Sequence, residues 1–338
     1  MDFSAAIAAA AEADPTEIYQ RPKVPGLTIH MDGDYMAYYC SGNDETSPGM
    51  AKLNAMSLVE KFMDITGATA AVVHNTAKGC HKGERYLAAT VKPYQGQRSS
   101  DRRPKNWAYL QQYLMTYEGQ LFRSKTWATR EADDGIGACS HFALKSDPGY
   151  AAIGTADKDM RMLPGLHIDW TKYTLTKVEP GDYAVMGDNG KLYGLKWFCM
   201  QMLMGDTADH CPGLEYAFIP TVAGKEPRMT KVGEKTAEKI LAGTSTVDDG
   251  VGTVIDMYRR GYRGRCSTAS TDFADDRFCE QAALMWMRTD NTGSLTDFAT
   301  HTGASRINAV FDQPMWDAVE RLSKRVGEAR AAANELTG

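Results

Sequence analysis

Residues 27–34 read LTIHMDGD, and this stretch decides the fold class. Leu27 to Met31 alternates apolar and β-branched residues and stops at Asp32-Gly33-Asp34, which predicts a short strand followed by an acidic turn. From Ala51 to Ile65 apolar side chains recur at helical spacing, and Gly67 ends that helix. Residues 70–74 then read as a second strand, so the segment predicts a β-α-β unit.

The same alternation continues downstream. Residues 131–144 predict a helix, and residues 150–155 predict a third, buried strand before Ala156-Asp157. Alternating strands and helices form a mainly parallel sheet, whose functional crevice lies at the carboxyl ends of the strands. We therefore expect Asp32, Asn75 and Asp157 at one edge.

After residue 190 the pattern changes to helices and turns. Residues 213–228 hold two prolines and predict a loop. Residues 316–336 predict an amphipathic helix with Trp316, Val319, Leu322 and Val326 facing inward.

Composition favours a globular protein. The chain has 338 residues, 43% apolar and 24% charged, and no apolar run approaches the roughly 20 residues of a membrane span. Its seven cysteines form no CxxC pair, so neither a disulfide framework nor a zinc site is indicated, and a cytoplasmic location is expected. The alanine-rich residues 1–24 are interpreted as an N-terminal extension, because acids flank the alanine run and no Lys or Arg precedes it.

Acidic residues form four groups. One group opens the predicted helix at Glu131, where helix capping alone would be a sufficient explanation. However, Glu131 and Asp134 lie one turn apart, and such a like-charge pair is unfavourable without a cation. Converging carboxylates predict an oxygen-rich site for Mg²⁺ or Mn²⁺, and two such ions about 4 Å apart suit phosphodiester hydrolysis. The four groups are Asp32 and Asp34; Glu131, Asp133 and Asp134; Asp157 and Asp159; and Asp206 and Asp209.

A basic segment follows the second strand. The formal charge of the whole chain is −5, yet residues 78–105 carry eight Lys or Arg against two acids, with Tyr86, Tyr94 and Trp107 interleaved. Basic grooves with aromatic side chains bind nucleic-acid backbones and stack bases. The alternative is a solvated surface loop.

Six motifs in order resemble the 5′ nucleases: flap endonucleases, the 5′ nuclease domains of bacterial DNA polymerases, and phage 5′→3′ exonucleases, among which the T7 type is most similar. The motifs are MDGDYMAYY from Met31, VKPYQGQR from Val91, READDGIGA from Arg130, GTADKDMRML from Gly154, LKWFCMQMLMGDTADHCPG from Leu195, and KVGEKTAEKIL from Lys231.

The resemblance implies roles for these residues. Asp32, Glu131 and Asp133 would bind one ion, and Asp157, Asp159, Asp206 and Asp209 the second, with Asp134 in support. Asp32 and Asp157 would be catalytic, and Lys78 and Arg85 would contact the scissile phosphate. Residues implied in DNA binding are Tyr94, Arg98, Arg102, Arg103, Lys105, Lys196, Lys231, Gly233 and Lys235.

The resemblance also implies a fold and a domain division. The fold class is α/β, with a PIN-like 5′ nuclease core, a central mainly parallel sheet flanked by helices, a helical arch and a C-terminal helix-3-turn-helix region. Residues 25–210 would form the core, with a basic arch at about 78–120, and residues 211–338 a helical DNA-binding region. The helix-3-turn-helix would cover about 229–242 and bind K⁺.

Three departures from the family pattern affect function. Asn75 stands where an aspartate is usual, so one metal site lacks a charge unless Asp34 compensates. Gln95 replaces the lysine of the YKxNR motif, which weakens one phosphate contact. The loop 213–228 is an insertion that could alter the docking of duplex DNA.

The expected activity is a two-metal 5′→3′ DNA exonuclease with flap endonuclease and RNase H-like primer-removal activity. Its expected partners are DNA with a free 5′ end and an RNA–DNA hybrid, with no membrane, and we expect a monomer. Two alternatives stay open: a PIN-like ribonuclease, and a noncatalytic DNA-structure binder that has lost its chemistry through Asn75.

Overall fold

A computed structural model describes residues 21–96, 103–219, 228–263 and 271–337. Its main sheet has six strands: β1 (Thr28–Asp32), β2 (Ala70–Thr76), β3 (Arg123–Trp127), β4 (Ala152–Gly154), β5 (Gly165–Ile168) and β6 (Leu175–Val178). They lie in the order β3-β2-β1-β4-β5-β6. All neighbours are parallel except the antiparallel pair β5 and β6, so the α/β fold with a mainly parallel sheet is confirmed.

Eleven α-helices lie in the described ranges. They are α1 (Gly33–Tyr39), α2 (Pro48–Thr66), α3 (Arg85–Ala88), α4 (Trp107–Met115), α5 (Ala132–Ala143), α6 (Leu195–Met204), α7 (Glu234–Ile240), α8 (Val247–Arg263), α9 (Thr271–Met285), α10 (Asp297–Thr300) and α11 (Gln313–Thr337). Three 3₁₀ turns cover Lys82–Glu84, Lys158–Met162 and Asn308–Val310, and two hairpins join β7 (Val185–Met186) to β8 (Leu192–Tyr193) and β9 (Tyr216–Ile219) to β10 (Arg228–Lys231).

Helix α2 shows how local sequence sets the element boundaries. The Ser47 hydroxyl accepts a hydrogen bond from the Met50 N–H, and Pro48 occupies the first turn, where its missing N–H costs nothing. Gly67 ends the helix with φ of 75°, in the left-handed region that favours glycine. The buried face of α2 then packs on the sheet through Val59 and Phe62.

Two hydrophobic clusters hold the sheet in place. One lies between the sheet and helices α2 and α4 and includes Ile29, Phe62 and Leu110. The other joins α5 and β4 to helices α6, α8, α9 and α11. Because the second cluster contains residues from both sides of residue 210, the sheet and the C-terminal helices share one core.

Several sequence predictions about this architecture are wrong in detail. The predicted loop 213–228 contains strand β9, and its residues 220–227 lie outside the described ranges. In α11, Val319, Leu322 and Val326 are buried as predicted, whereas Trp316 is 38% exposed and Met315 takes the inward position. The KVGEKTAEKIL segment is a strand, a turn and helix α7, so the helix expected before the turn is a strand.

Two further predictions concern the basic segment and membranes. In its described part, residues 78–96, helix is limited to Lys82–Glu84 and α3, and Ala88 packs in the core with the C-terminal helices. The arch therefore stays a prediction. None of the described helices combines the length and apolar character that crossing a bilayer requires. The N-terminal extension lies largely outside the described residues.

Candidate metal centre

Carboxylates converge at the carboxyl ends of the central strands. Asp32 is the last residue of β1, and Asp157 follows the end of β4. Strand β1 lies between β2 and β4, and its Asp32 is in register with His74 of β2. Asp32 and Asp157 therefore meet at the carboxyl ends of the strands, which is the position that the sequence predicts for them in a parallel sheet.

Asp32 and Asp34 form the first acidic pair. One Asp32 oxygen accepts the backbone N–H groups of Asp34 and Tyr35, at 3.0 and 3.1 Å, and so caps helix α1. An Asp34 oxygen accepts the Thr76 N–H at 3.2 Å. Burial, followed by the charges of Asp34 and Asp157, raises the pKa of Asp32 to about 7. A divalent ion would remove this cost of holding ionised carboxylates together.

The start of helix α5 supplies the second group. Glu131 is the residue before its first turn, and Asp133 and Asp134 lie within that turn. Burial, together with the charges of Asp134 and Glu131, raises the pKa of Asp133 well above its usual range. The group is therefore more than a helix cap, because capping alone would favour the ionised form.

Arg85, predicted to contact the scissile phosphate, lies in the interior of the protein. Its guanidinium is fully buried and donates two parallel hydrogen bonds to Asp134, at 2.7 and 2.8 Å. It also donates to the backbone carbonyls of Leu284 and Trp286, each at 3.0 Å. In this structure all these donors face protein acceptors, so a contact between Arg85 and the scissile phosphate stays a prediction.

Asp134 is likewise a structural acid. Both of its oxygens bind Arg85, and one also accepts the Arg288 N–H at 3.1 Å. Burial alone would raise its pKa, but the charges of Arg85 and Arg288 lower the pKa of Asp134 below its ordinary value. Both Asp134 oxygens are occupied within the protein, which agrees with the supporting role that the resemblance implies; its part in metal binding stays a prediction.

Asp159, Asp206 and Asp209 form the third group. Each offers a carboxylate oxygen, and these oxygens lie within 4.8 Å of one another. Burial, together with the charge of Asp157, raises the pKa of Asp159 well above its usual range. All donors are oxygen, which is the ligand that Mg²⁺ and Mn²⁺ prefer. The residues fit a divalent cation.

Lys158 lies between two of these acids. Its Nζ atom is 3.1 Å from Asp159 Oδ1 and also contacts Asp206 Oδ2. An ion bound by the same two carboxylates would take the region that this ammonium group fills. Lys158 therefore has to move aside when a divalent ion binds. The Asp-Lys-Asp sequence does not predict this competition.

Tyr94 and Gln95 connect the acids of different segments. The Tyr94 hydroxyl lies 3.0 Å from Glu131 Oε2 and 3.2 Å from Asp209 Oδ2. The Gln95 amide donates to Glu131 Oε1 and Asp209 Oδ1, both at 3.1 Å. Both side chains face the acids. Tyr94, for which the resemblance implies a role in DNA binding, therefore also positions the carboxylates of Glu131 and Asp209.

Lys82 reaches the centre from the basic segment, on the side of Glu131. Its Nζ contacts Gln95 Oε1 and lies 3.8 Å from Glu131 Oε1, while the side chain stays 40% exposed. Lys82, Gly83 and Glu84 have φ of 46°, 57° and 62°, three consecutive left-handed residues that aim the side chain. A Cβ at Gly83 would lie 1.6 Å from Arg288, so only glycine fits there. The sequence prediction named Lys78, which is exposed in the turn after β2.

Asn75 does not join the metal ligands. Its amide donates to Ser124 Oγ at 3.2 Å and to Val73 O at 3.4 Å, and the residue is fully buried. Asp34, bonded to the neighbouring Thr76, places a carboxylate at the same strand end. That Asp34 compensates for the charge that Asn75 lacks stays a prediction.

The remaining DNA-binding candidates that the structure describes lie at the surface, except Lys196, which is half-buried 5.6 Å from the Tyr183 ring. Arg103 stacks 4.0 Å from the Trp107 ring, and Lys105 donates to the Asp44 carbonyl. Lys231, Gly233 and Lys235 are exposed around the start of α7. Arg98 and Arg102 lie outside the described residues.

A separate group of His30, His74 and Cys139 also brings nitrogen and sulfur atoms within 4.8 Å. His30 Nδ1 lies 2.9 Å from His74 Nε2, and Trp127 Nε1 donates to His74 Nδ1 at 3.0 Å. Burial and then Lys125 lower the pKa of His30 to about 4. The two rings are therefore neutral, hydrogen-bonded parts of the sheet.

The fold is shared with proteins of bacteriophage T5. The T5 D15 protein, co-crystallised with metal ions, aligns with a TM-score of 0.50 and 13% identity over 88% of this chain and 99% of its own. The bacteriophage T5 D15 flap endonuclease in a complex with DNA and metal ions gives 0.48, with 15% identity over 89% and 99%. The T5 5′-exonuclease with bound zinc gives 0.49, with 15% identity over 89% and 98%. Neither a protein-family model nor a curated protein sequence matches the chain.

Proposed function

We propose that this chain is a metal-dependent 5′ nuclease that hydrolyses DNA phosphodiester bonds close to a free 5′ end. The observation that carries the proposal is the convergence of carboxylates from four separate chain segments at the carboxyl ends of the strands of a parallel sheet. Their raised pKa values mark a site that is incomplete without cations. The six motifs and the fold shared with a T5 protein that was crystallised with metal ions support the same conclusion.

The acids divide between two ion positions. Asp32, Asp34, Glu131 and Asp133 would hold one ion, and Asp159, Asp206 and Asp209 the other, with Asp157 between them. Two divalent ions supply a hydroxide nucleophile and neutralise the charge that develops on the phosphate. Mg²⁺ or Mn²⁺ suits these oxygen donors.

The chain's own residues position this chemistry. Tyr94 and Gln95 hold Glu131 and Asp209 in fixed orientations through their hydrogen bonds. Lys82 has an ammonium group at the centre and an exposed side chain, so it would contact a non-bridging oxygen of the scissile phosphate. Asp32, anchored by two backbone N–H groups, keeps one oxygen for the ion.

The proposal also covers the type of nuclease activity, the oligomeric state and the residues that bind DNA. We assign 5′→3′ exonuclease and flap endonuclease activity, with RNase H-like primer removal, to a monomer. Its Arg103, Lys105, Lys196, Lys231 and Lys235 would bind backbone phosphates, beside the arch at about 78–120. Lys78 would assist at the substrate. A K⁺ ion would bind near Gly233.

The test is cleavage of a 5′-labelled duplex and a matching 5′ flap in Mg²⁺, Mn²⁺ or EDTA, with Asp157→Ala as the inactive control. We expect cleavage only with a divalent ion and only in the wild type, with product lengths that identify exonuclease or flap endonuclease activity. RNA of equal length separates a deoxyribonuclease from a PIN-like ribonuclease. Tight, salt-sensitive binding without cleavage in any divalent ion would overturn the proposal in favour of a DNA-structure binder.

A further inference from the structure

A second cavity adjoins the acidic centre. Its volume is about 260 Å³, near the lower end of the roughly 300–1,000 Å³ of small-molecule sites. Thr155, Ala156 and Asp157 form one wall, immediately after strand β4, and residues 167–171 form another after strand β5. The cavity therefore opens at the same sheet edge as the metal centre and shares Asp157 with it.

The interior of this cavity is aromatic. The Trp170 ring meets Tyr35 and Tyr39 edge-on, with centroids 4.9 and 5.3 Å away. Tyr35 and Tyr39 are one helical turn apart on α1 and are close to parallel, with an interplanar angle of 25°. Tyr39 is only half-buried, so its ring is available to a planar ligand. Aromatic faces of this kind stack nucleobases with little regard to base identity.

One cation at the cavity is unpaired. The Arg161 guanidinium lies 4.7 Å from the Trp197 ring, and it makes no hydrogen bond or ion pair with any residue in the described ranges. Arg161 stands four residues after Asp157, so an anion bound to it would lie beside the metal centre.

The other cation that lines the cavity, Lys191, is neutralised by Asp169, while the Asp157 carboxylate belongs to the metal centre. Lys191 Nζ lies 2.6 Å from Asp169 Oδ2, and Asp169 also accepts the N–H groups of Thr171 and Lys172. Against the effect of burial, Lys191 and these N–H groups lower the pKa of Asp169 to about 2. Arg161 is thus the group at this cavity that is left to bind a phosphate.

We propose that this cavity is a nucleotide subsite, in which Tyr39 and Trp170 contact an unpaired base and Arg161 binds the adjacent phosphate. The inference rests on the proposed function, because it places that base next to the phosphodiester bond held at the acids. The cavity has aromatic walls and one guanidinium that is available to a ligand, and its volume is small. These features favour a nucleoside monophosphate unit over an apolar or a purely anionic ligand. Such a subsite would hold a DNA strand beside the reacting phosphate without recognising the identity of its bases.

The experiment measures binding by calorimetry in Mg²⁺, with three ligands: deoxyadenosine 5′-monophosphate, deoxyadenosine, and deoxyribose 5-phosphate. None contains a phosphodiester bond, so the result does not depend on cleavage. We expect the nucleotide to bind at least about tenfold more tightly than either part, since each part keeps one of the two contacts. Equal affinity for the nucleotide and deoxyribose 5-phosphate would overturn the base pocket.

Variants separate the two contacts. Arg161→Gln should weaken binding of the nucleotide about tenfold and leave deoxyadenosine unchanged, and Tyr39→Leu should weaken both, whereas Tyr39→Phe keeps the ring and the affinity. Arg260→Gln and Tyr109→Leu are matched controls, because both residues are exposed elsewhere on the surface. Unchanged affinity in Arg161→Gln and Tyr39→Leu would refute the subsite.

The outcomes also separate this inference from the nuclease proposal. If the protein binds the nucleotide as expected but cleaves no substrate, the subsite stands and the proposed function fails. If it cleaves DNA but shows no preference for the nucleotide, the nuclease stands and the subsite is wrong.

Discussion

The Arg85 guanidinium and the Asp134 carboxylate form a two-point ion pair with both side chains fully buried. Arg85 belongs to the basic segment and Asp134 to the start of helix α5, so the pair holds the basic segment against that helix. Breaking such a pair from one side leaves an uncompensated charge in the interior.

Arg85→Gln should therefore lower the free energy of unfolding by about 3–5 kcal/mol. Urea unfolding followed by circular dichroism measures this. The control is Arg260→Gln, whose partner Asp256 is 58% exposed and whose loss should cost about 0–1 kcal/mol. If the two variants lose equal stability, the buried pair does not have the structural role described.

Asp157→Asn should separate stability from activity. Burial, along with the charges of Asp209 and Asp206, raises the pKa of Asp157, so the ionised residue is unfavourable in the metal-free fold. The neutral amide should raise the melting temperature of the metal-free protein at pH 8 and reduce cleavage by at least about 100-fold. Scanning calorimetry in EDTA measures the melting temperature, and a cleavage assay measures the rate. A fall in both the melting temperature and the rate would contradict the prediction.

The metal-free protein should become less stable as pH rises from about 4 to about 7. The folded pKa of Asp32 is about 7, above its unfolded value of 3.8. In this range the folded state binds more protons than the unfolded state, so its stability falls with rising pH. Melting temperatures in EDTA across this range measure the effect, and added Mg²⁺ should raise the melting temperature most at the upper end. A stability that rises with pH, or a Mg²⁺ effect independent of pH, would contradict it.

Lys82→Met should reduce the rate constant of cleavage by about 10–100-fold with little change in metal affinity. Lys177→Met is the control, because that lysine pairs with Glu179 at the surface, and Lys78→Met, at the exposed lysine proposed only to assist at the substrate, should reduce the rate less than Lys82→Met. Single-turnover kinetics and Mn²⁺ titration measure the two quantities. A larger rate loss in Lys78→Met would restore the role that the sequence first suggested.

Lys158→Met should tighten binding of the divalent ion by roughly two- to tenfold. The variant removes an ammonium group that contacts Asp159 and Asp206, two of the proposed ligands. Calorimetric titration with Mn²⁺ measures the change, with Lys177→Met as a control whose ion pair with Glu179 is exposed. Weaker binding would show that Lys158 supports the ion instead of competing with it.

The sequence predicts the central strands because their apolar runs end in acids. It misses β5, a run of only four residues, and also β3 and β6, which lie at the two edges of the sheet. Asp32 and Asp157 were predicted correctly as neighbours, since strand order in a parallel sheet brings strand ends together.

Side-chain partners were harder to predict. Lys82 meets Gln95 and Glu131 only through the left-handed turn at Gly83, which no local periodicity reveals. The burial of Arg85 depends on carbonyl groups about 200 positions away, at Leu284 and Trp286. Contacts at such separation follow from tertiary packing, so a basic residue in a basic segment was interpreted as a surface residue.

The long-range anchoring of Arg85 also limits how the protein can be divided. A fragment that ended near residue 210 would retain every carboxylate of the centre but lose the Leu284 and Trp286 carbonyls and most of the shared core. Arg85 would then lack two acceptors, and the helix start that carries Asp133 would lose its support. The acids and the C-terminal helices therefore have to be inherited, exchanged or engineered as one unit.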